Sequence, residues 1–304
     1  MAQEKPPAKP TSRLSEMFRR KADLDGDEDT LVLSLPSVTD RPAATKPRLP
    51  VPDLSAQAKL WLLIGAGSGG KTLLARWLGD KLATAGTLDQ TMLAALDPTN
   101  RTLAEFFGVV EQPASANPAR VTTWLREFLT FVAKQQSSGI VDFGGNNTSL
   151  MHLVETSPTF ADPLDEAGVA AVAAYLLSPR VDDLTLLAGF EGLGFRPKAT
   201  ALILNLGRAE SQEDFDAVRR HPAYKAALAR GAVELWLPKL EPQSLALEIE
   251  RKRLHFTDAR DGITPEGRKP ADISLLERVM IRAWLGRMDE AFAPVSTWLP
   301  WAAS

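Results

Sequence analysis

The chain contains no cysteine. Disulfides, thiolate metal sites and cysteine nucleophiles are therefore excluded. Histidine is almost as scarce. His152, His221 and His255 lie far apart and lack ligand spacing, so a zinc site is not expected. No apolar run reaches the roughly 18 residues of a membrane span. The N-terminus has no apolar stretch of signal-peptide type, so the expected compartment is the cytoplasm, with a membrane or nucleoid periphery as the alternative. Strong charge of one sign is missing too. A net charge of −3 argues against a generally DNA-coating surface and leaves local patches open. What remains is ordinary globular composition, 44% hydrophobic and 24% charged, and 304 residues can bury a full core without staples.

Residues 1–55 differ from the rest. Lys5, Lys9, Arg13, Arg19, Arg20 and Lys21 come first, then Asp23, Asp25, Asp27, Glu28 and Asp29, then Pro36, Pro42, Pro47, Pro50 and Pro52. Such a stretch buries too little apolar surface to offset its ordering entropy. A mostly disordered extension is expected, with a short helix over 13–21 where Leu14, Met17 and Phe18 share a face. That helix could dock a partner, touch a membrane surface, or do neither. Residues 31–35 could add a short strand. The acidic run is not a calcium loop, because Ser34 stands where the bidentate Glu belongs.

The stretch 60–78 organises the remainder. Residues 60–64 form an apolar run of strand length. Gly65, Ala66, Gly67, Ser68, Gly69, Gly70, Lys71 and Thr72 then read G-x-x-x-x-G-K-T, and residues 73–78 open a helix. Strand, loop and helix are the context that makes this phosphate-loop pattern credible. The glycines let successive N–H groups converge on phosphate oxygens, and the helix N-terminus adds partial positive charge. Lys71 would reach the β- and γ-phosphates, and the Thr72 hydroxyl would bind Mg²⁺.

The pattern beyond is an alternation. Strands are expected at 91–96, 139–141, 200–206 and 232–237. Helices are expected at 71–84, 103–107, 118–135, 184–193 and 213–230. The run 168–177 is open between helix and strand; its alanines favour helix, its place between helices favours strand, and strand is taken. The fold class that follows is α/β, a doubly wound, mostly parallel sheet with a phosphate loop, and ligands at the strand C-terminal ends. The expected domains are an extension over 1–55, a phosphate-loop domain over 56–268, and a C-terminal helix and tail over 269–304. The helix spans 273–292, with Leu275, Leu276, Val279, Met280, Trp284, Leu285 and Met288 apolar. It would pack on the domain or meet a partner.

A nucleoside triphosphatase also needs a carboxylate near its metal and a group that positions water. Asp97 and Asp142 each follow an apolar strand. Asp142 suits the metal side, with Gly144 and Gly145 free to move as a switch loop, and Asp97 suits the water. Each could instead be a helix cap. Asn205 ends a buried strand, where its amide could read a purine edge. No N-K-x-D pattern occurs, which favours adenine over guanine.

These motifs resemble the ParA/MinD class of ATPases. Asp97-Pro-Thr-Asn-Arg-Thr-Leu103 is similar to its D-P-x-x-x-x-L segment, Asn205 to its adenine-contacting Asn, and Pro238 in Trp236-Leu-Pro-Lys-Leu240 to its adenine-side proline loop. Within the class the order of motifs, including Asp142-Phe-Gly-Gly145 with Ser149-Leu150 and Arg253-Leu-His-Phe-Thr-Asp-Ala259, resembles conjugal-transfer and stability ATPases of the TraL/StbB kind. The resemblance implies an ATP- and Mg²⁺-dependent switch with slow hydrolysis, a homodimer, and a role in plasmid partitioning or conjugal transfer. A protein partner through the N-terminal or C-terminal segment is expected, and DNA contact is open. Two positions depart from the class: Ala66 stands where its signature lysine crosses to the partner's ATP, and Ala95 where its D-x-D segment begins. Both depart from a standard ATP-sandwich dimer, and the missing lysine implies a weaker one. A nucleotide-binding scaffold of an envelope, secretion or polysaccharide-export complex is the alternative. A phosphate-loop kinase is another, although no Arg-rich lid is evident.

Overall fold

One seven-stranded sheet, parallel at every neighbouring pair among the described residues, carries the fold in the order β3-β2-β4-β1-β5-β6-β7. The strands are β1 Ala58–Gly65, β2 Met92–Ala95, β3 Val110–Glu111, β4 Gly139–Asp142, β5 Val169–Leu177, β6 Ala199–Asn205 and β7 Val233–Leu237. The helices are α1 Lys71–Ala85, α2 Thr102–Phe106, α3 Pro118–Gln135, α4 Thr148–Thr156, α5 Ala161–Glu166, α6 Leu184–Gly192, α7 Asp216–Arg220, α8 Pro222–Ala229, α9 Gln243–Arg251, α10 Phe256–Asp261 and α11 Leu275–Phe292. This computed structural model describes residues 49–97, 102–145, 148–264 and 271–301, all within one compact unit. The helix expected over 13–21 and the strand expected over 31–35 lie outside the described residues.

The doubly wound arrangement follows from residue parity. Successive strand side chains point to opposite faces. Trp61 and Leu63 of β1 join one core with α1, α2, α9, α10 and α11, whereas Leu60, Leu62 and Ile64 join the other with α3 to α8. Both faces are covered, so a continuous apolar run rather than an alternating one marks these strands. β1 lies between β4 and β5, where the chain passes from one half of the sheet to the other, and such a reversal opens a crevice at the strand C-termini.

The ambiguous alanine run is β5. All nine of its residues are buried, and it pairs with β1 on one edge and β6 on the other. Two ladders and two covered faces outweigh the helical preference of alanine. One expected helix is corrected. The stretch 213–230 is a short 3₁₀ turn and two helices, α7 and α8, because Pro222 disfavours helical geometry at the residue before it. His221 is extended there, at ψ 140, and its Nδ1 accepts the Ala223 N–H as the cap of α8.

The C-terminal segment is part of the first core. Ile281, Trp284, Leu285, Met288 and Phe292 of α11 are buried, as are Val295, Trp298 and Leu299 beyond it. Buried indoles usually find acceptors, and three of them here cross-link the chain, whereas the Trp77 N–H has no acceptor among the described residues. Trp61 donates to the Trp298 carbonyl (2.6 Å), Trp298 to that of Pro52 (2.8 Å), and Trp284 to that of Pro238 (3.0 Å). Leu54, within the stretch read as an extension, is fully buried in the same core. Of the apolar residues expected to line α11, Leu275, Leu276 and Val279 are exposed. Among the described residues no helix is long and apolar enough to cross a membrane.

Candidate functional site

The loop between β1 and α1 closes on its own lysine. Lys71 is buried, and its Nζ donates to the carbonyls of Gly65 (2.9 Å) and Ala66 (2.8 Å). Burial lowers the pKa of this ammonium, partly offset by Asp142 and Asp183. Two glycines have steric reasons. A methyl on Gly65 would stand 2.7 Å from the Leu176 carbonyl oxygen. Gly70 has φ +96, and its methyl would stand 2.5 Å from Asn205 Nδ2. Ser68 also sits at positive φ, 58.

Thr72, the second residue of α1, donates its hydroxyl to Asp142 Oδ2 at 2.8 Å. Asp142 ends β4, which is hydrogen-bonded to β1, so sheet register places this carboxylate beside the loop. Burial pushes Asp142 up to about 6, against the Thr72 hydrogen bond and the Lys71 charge, with Asp97 adding to the rise. A hydroxyl and a carboxylate in contact are hard oxygen donors suited to Mg²⁺. Among the described residues no set of three or more His, Asp or Glu could hold a metal alone, so such a cation would share its shell with phosphate and water.

A cleft of about 490 Å³ opens over these groups. Gly67 to Leu73 form its floor, Ala95, Asp97 and Leu103 one side, Asp142 to Gly145 another, and Glu250 a third. The pieces meet closely at two glycines. A methyl on Gly144 would stand 3.1 Å from Asp97 Cβ, and one on Gly145 would stand 3.1 Å from Gly67 Cα. The structure thus brings together the phosphate loop, Asp97 and Asp142.

Of the two residues expected on the base side, Asn205 lies against the loop and Pro238 follows β7. Asn205, buried at the end of β6, donates Nδ2 to the Gly69 carbonyl (2.8 Å) and accepts the Gly207 N–H on Oδ1 (2.9 Å). Its amide is engaged with the loop and its own turn. Pro238, just past β7, is buried under Trp284. Neither lines the cleft.

Two further acids lie near the site. Glu250 reaches the cleft from α9, nearly 180 residues after the phosphate loop, and no local motif marks it. Asp183 is buried, accepts Ser178 N–H (2.8 Å) and hydroxyl (2.6 Å), and bears on the Lys71 charge. Its signal was available: a Ser-x₄-Asp pair directly after a strand.

No protein-family model and no curated protein matches this chain. Among solved structures it is similar to the hydrogenase maturation factor HypB from Archaeoglobus fulgidus, at 14% identity and a TM-score of 0.33, over 60% of this chain and 81% of that one. Similarity at that level says nothing of substrate or partner.

Proposed function

We propose that the chain is a Mg²⁺-dependent phosphate-loop ATPase that works as a nucleotide-dependent switch. The contact between Thr72 and Asp142 carries this reading, because it joins the loop hydroxyl to a buried carboxylate at the place where a phosphate-bound cation would sit. Lys71 would leave the Gly65 and Ala66 carbonyls for the β- and γ-phosphates. Thr72 and Asp142 would hold the metal, which neutralises developing phosphate charge when bound. Asp97 would orient the attacking water, and Gly144 and Gly145 would let the loop after β4 follow the γ-phosphate. Adenine is favoured by the missing guanine motif. The motif order resembling ParA/MinD ATPases supports a role in plasmid partitioning or conjugal transfer, with a homodimer weakened by Ala66.

A scaffold with little hydrolysis is the second reading, favoured by Ala95. This residue lines the cleft where the resembling class carries an acid.

Thermal stability with and without ATP and Mg²⁺ tests binding, since a ligand of the native state stabilises it by mass action. Lys71→Ala should lose the shift; a shift that persists rejects the assignment. Phosphate release tests turnover. Asp97→Ala should bind ATP as the parent does, lose hydrolysis, and accumulate as an ATP-bound dimer in light scattering. A monomer that binds but never hydrolyses favours the scaffold.

A further inference from the structure

The helix that carries the phosphate loop has a charged stripe on an otherwise apolar side. Arg76 and Asp80 stand one and two turns beyond Thr72, and both are buried. Among the described residues Arg76 has one hydrogen-bond acceptor, the Leu254 carbonyl at 3.3 Å. Its guanidinium lies instead against two rings, 3.6 Å from the Phe106 centroid and 4.7 Å from that of Phe256. Arg76 is pulled down to about 10 by burial, with Asp80 and Glu250 opposing. A cation held this way gains from the ring faces without a paired anion.

The neighbouring positions on α1 serve the same joint. Gly79 leaves a hollow: a methyl there would stand 2.5 Å from Phe107 Cζ. Asp80 meets His255 Nδ1 at 2.6 Å and accepts the Phe256 N–H. The His255 ring lies 5.0 Å from the Phe107 ring. One turn of α1 therefore receives two separate chain segments. The first is α2, where Leu103 lines the cleft and Phe106 lies one turn below on Arg76. The second leaves α9, whose Glu250 lines the cleft, and reaches Arg76 through Leu254 and Phe256.

We propose that Arg76 is a positioning residue that sets the two helical walls of the cleft, α2 and the end of α9, relative to the phosphate loop. This rests on reading the cleft as the nucleotide site. A planar cation suits the task because it can lie against rings while its edge meets a carbonyl, which lysine cannot do. The phosphate-binding groups belong to the loop and α1 themselves. Losing Arg76 should therefore leave nucleotide affinity in place and misplace the groups that act during turnover.

Arg76→Met separates positioning from folding. Replacing a buried, poorly paired charge with an apolar side chain of similar length should leave global stability level or higher. Phosphate release by the full chain should fall at least about ten-fold, with nucleotide Kd within about three-fold of the parent. Amide exchange without nucleotide should rise about ten-fold or more over residues 102–107 and 250–256 and hold over 71–85. Arg76→Lys should not restore turnover, and Phe106→Leu, which keeps the charge, should repeat the loss if Arg76→Met fails to fold. Unchanged exchange in both segments overturns the proposal. So does a parallel loss of stability, affinity and turnover, which would make Arg76 a structural residue only. A parent chain that releases no phosphate defeats the hydrolytic reading, while the exchange pattern still decides the role of Arg76.

Discussion

Asn205 Nδ2 donates to the Gly69 carbonyl across 2.8 Å, tying the end of β6 to the back of the phosphate loop. The same amide stands where any side chain on Gly70 would fall. The amide thereby braces the loop. Asn205→Ala should therefore weaken ATP and inorganic triphosphate alike, by about 1–3 kcal/mol, because a buried carbonyl loses its donor and the loop its support. Isothermal titration with both ligands checks this. A loss confined to ATP would return Asn205 to the base.

Asp142 predicts an unusual pH dependence. Its folded pKa of about 6 lies above the ordinary 3.8, so the folded protein holds this proton to higher pH than the unfolded chain does. The sign is the reverse of a salt-bridged carboxylate. Stability from this group is greatest below the unfolded value, falls as pH rises through the interval, and levels off above about 6 at a cost on the order of 3 kcal/mol. Asp142→Asn keeps an oxygen for Thr72 and removes the charge. Urea titrations should show the variant more stable than the parent at pH 7.5, by about 1–3 kcal/mol, and equal at pH 4. Mg²⁺ should then add nothing to its nucleotide affinity. A variant less stable at pH 7.5 would show that Thr72 and Lys71 stabilise the ionised carboxylate by more than burial costs it.

The tail after α11 should behave as core. Trp298 is fully buried, accepts the Trp61 indole on its carbonyl and donates to that of Pro52. Trp298→Ala should cost about 3–5 kcal/mol in denaturant titration, the range for a large aromatic removed from a packed interior. A cost under about 1 kcal/mol would leave the tail free for a partner instead.

Local order wrote the phosphate loop and most of the strands into the sequence. The run 60–72 could be read because strand, glycine loop and helix start are contiguous, and each has a period or a steric signature of its own. Asp97 and Asp142 were legible for the same reason, as acids directly after apolar runs. Other features are decided between segments remote in the chain. The alanine run became β5 because β1 and β6 supply both its ladders. The helix over 213–230 broke at Pro222, a local signal that the apolar pattern around it obscured. Asn205 faces Gly69 rather than open space because parallel pairing brings the end of β6 beside the loop, 136 positions away in sequence. Arg76 and Asp80 gain their partners only where α2 and residues 254–256 pack over them. Sequence determines what each short stretch can do by its own backbone and side-chain chemistry. Tertiary structure alone decides which buried polar groups meet, because burial and partner are properties of the packed chain.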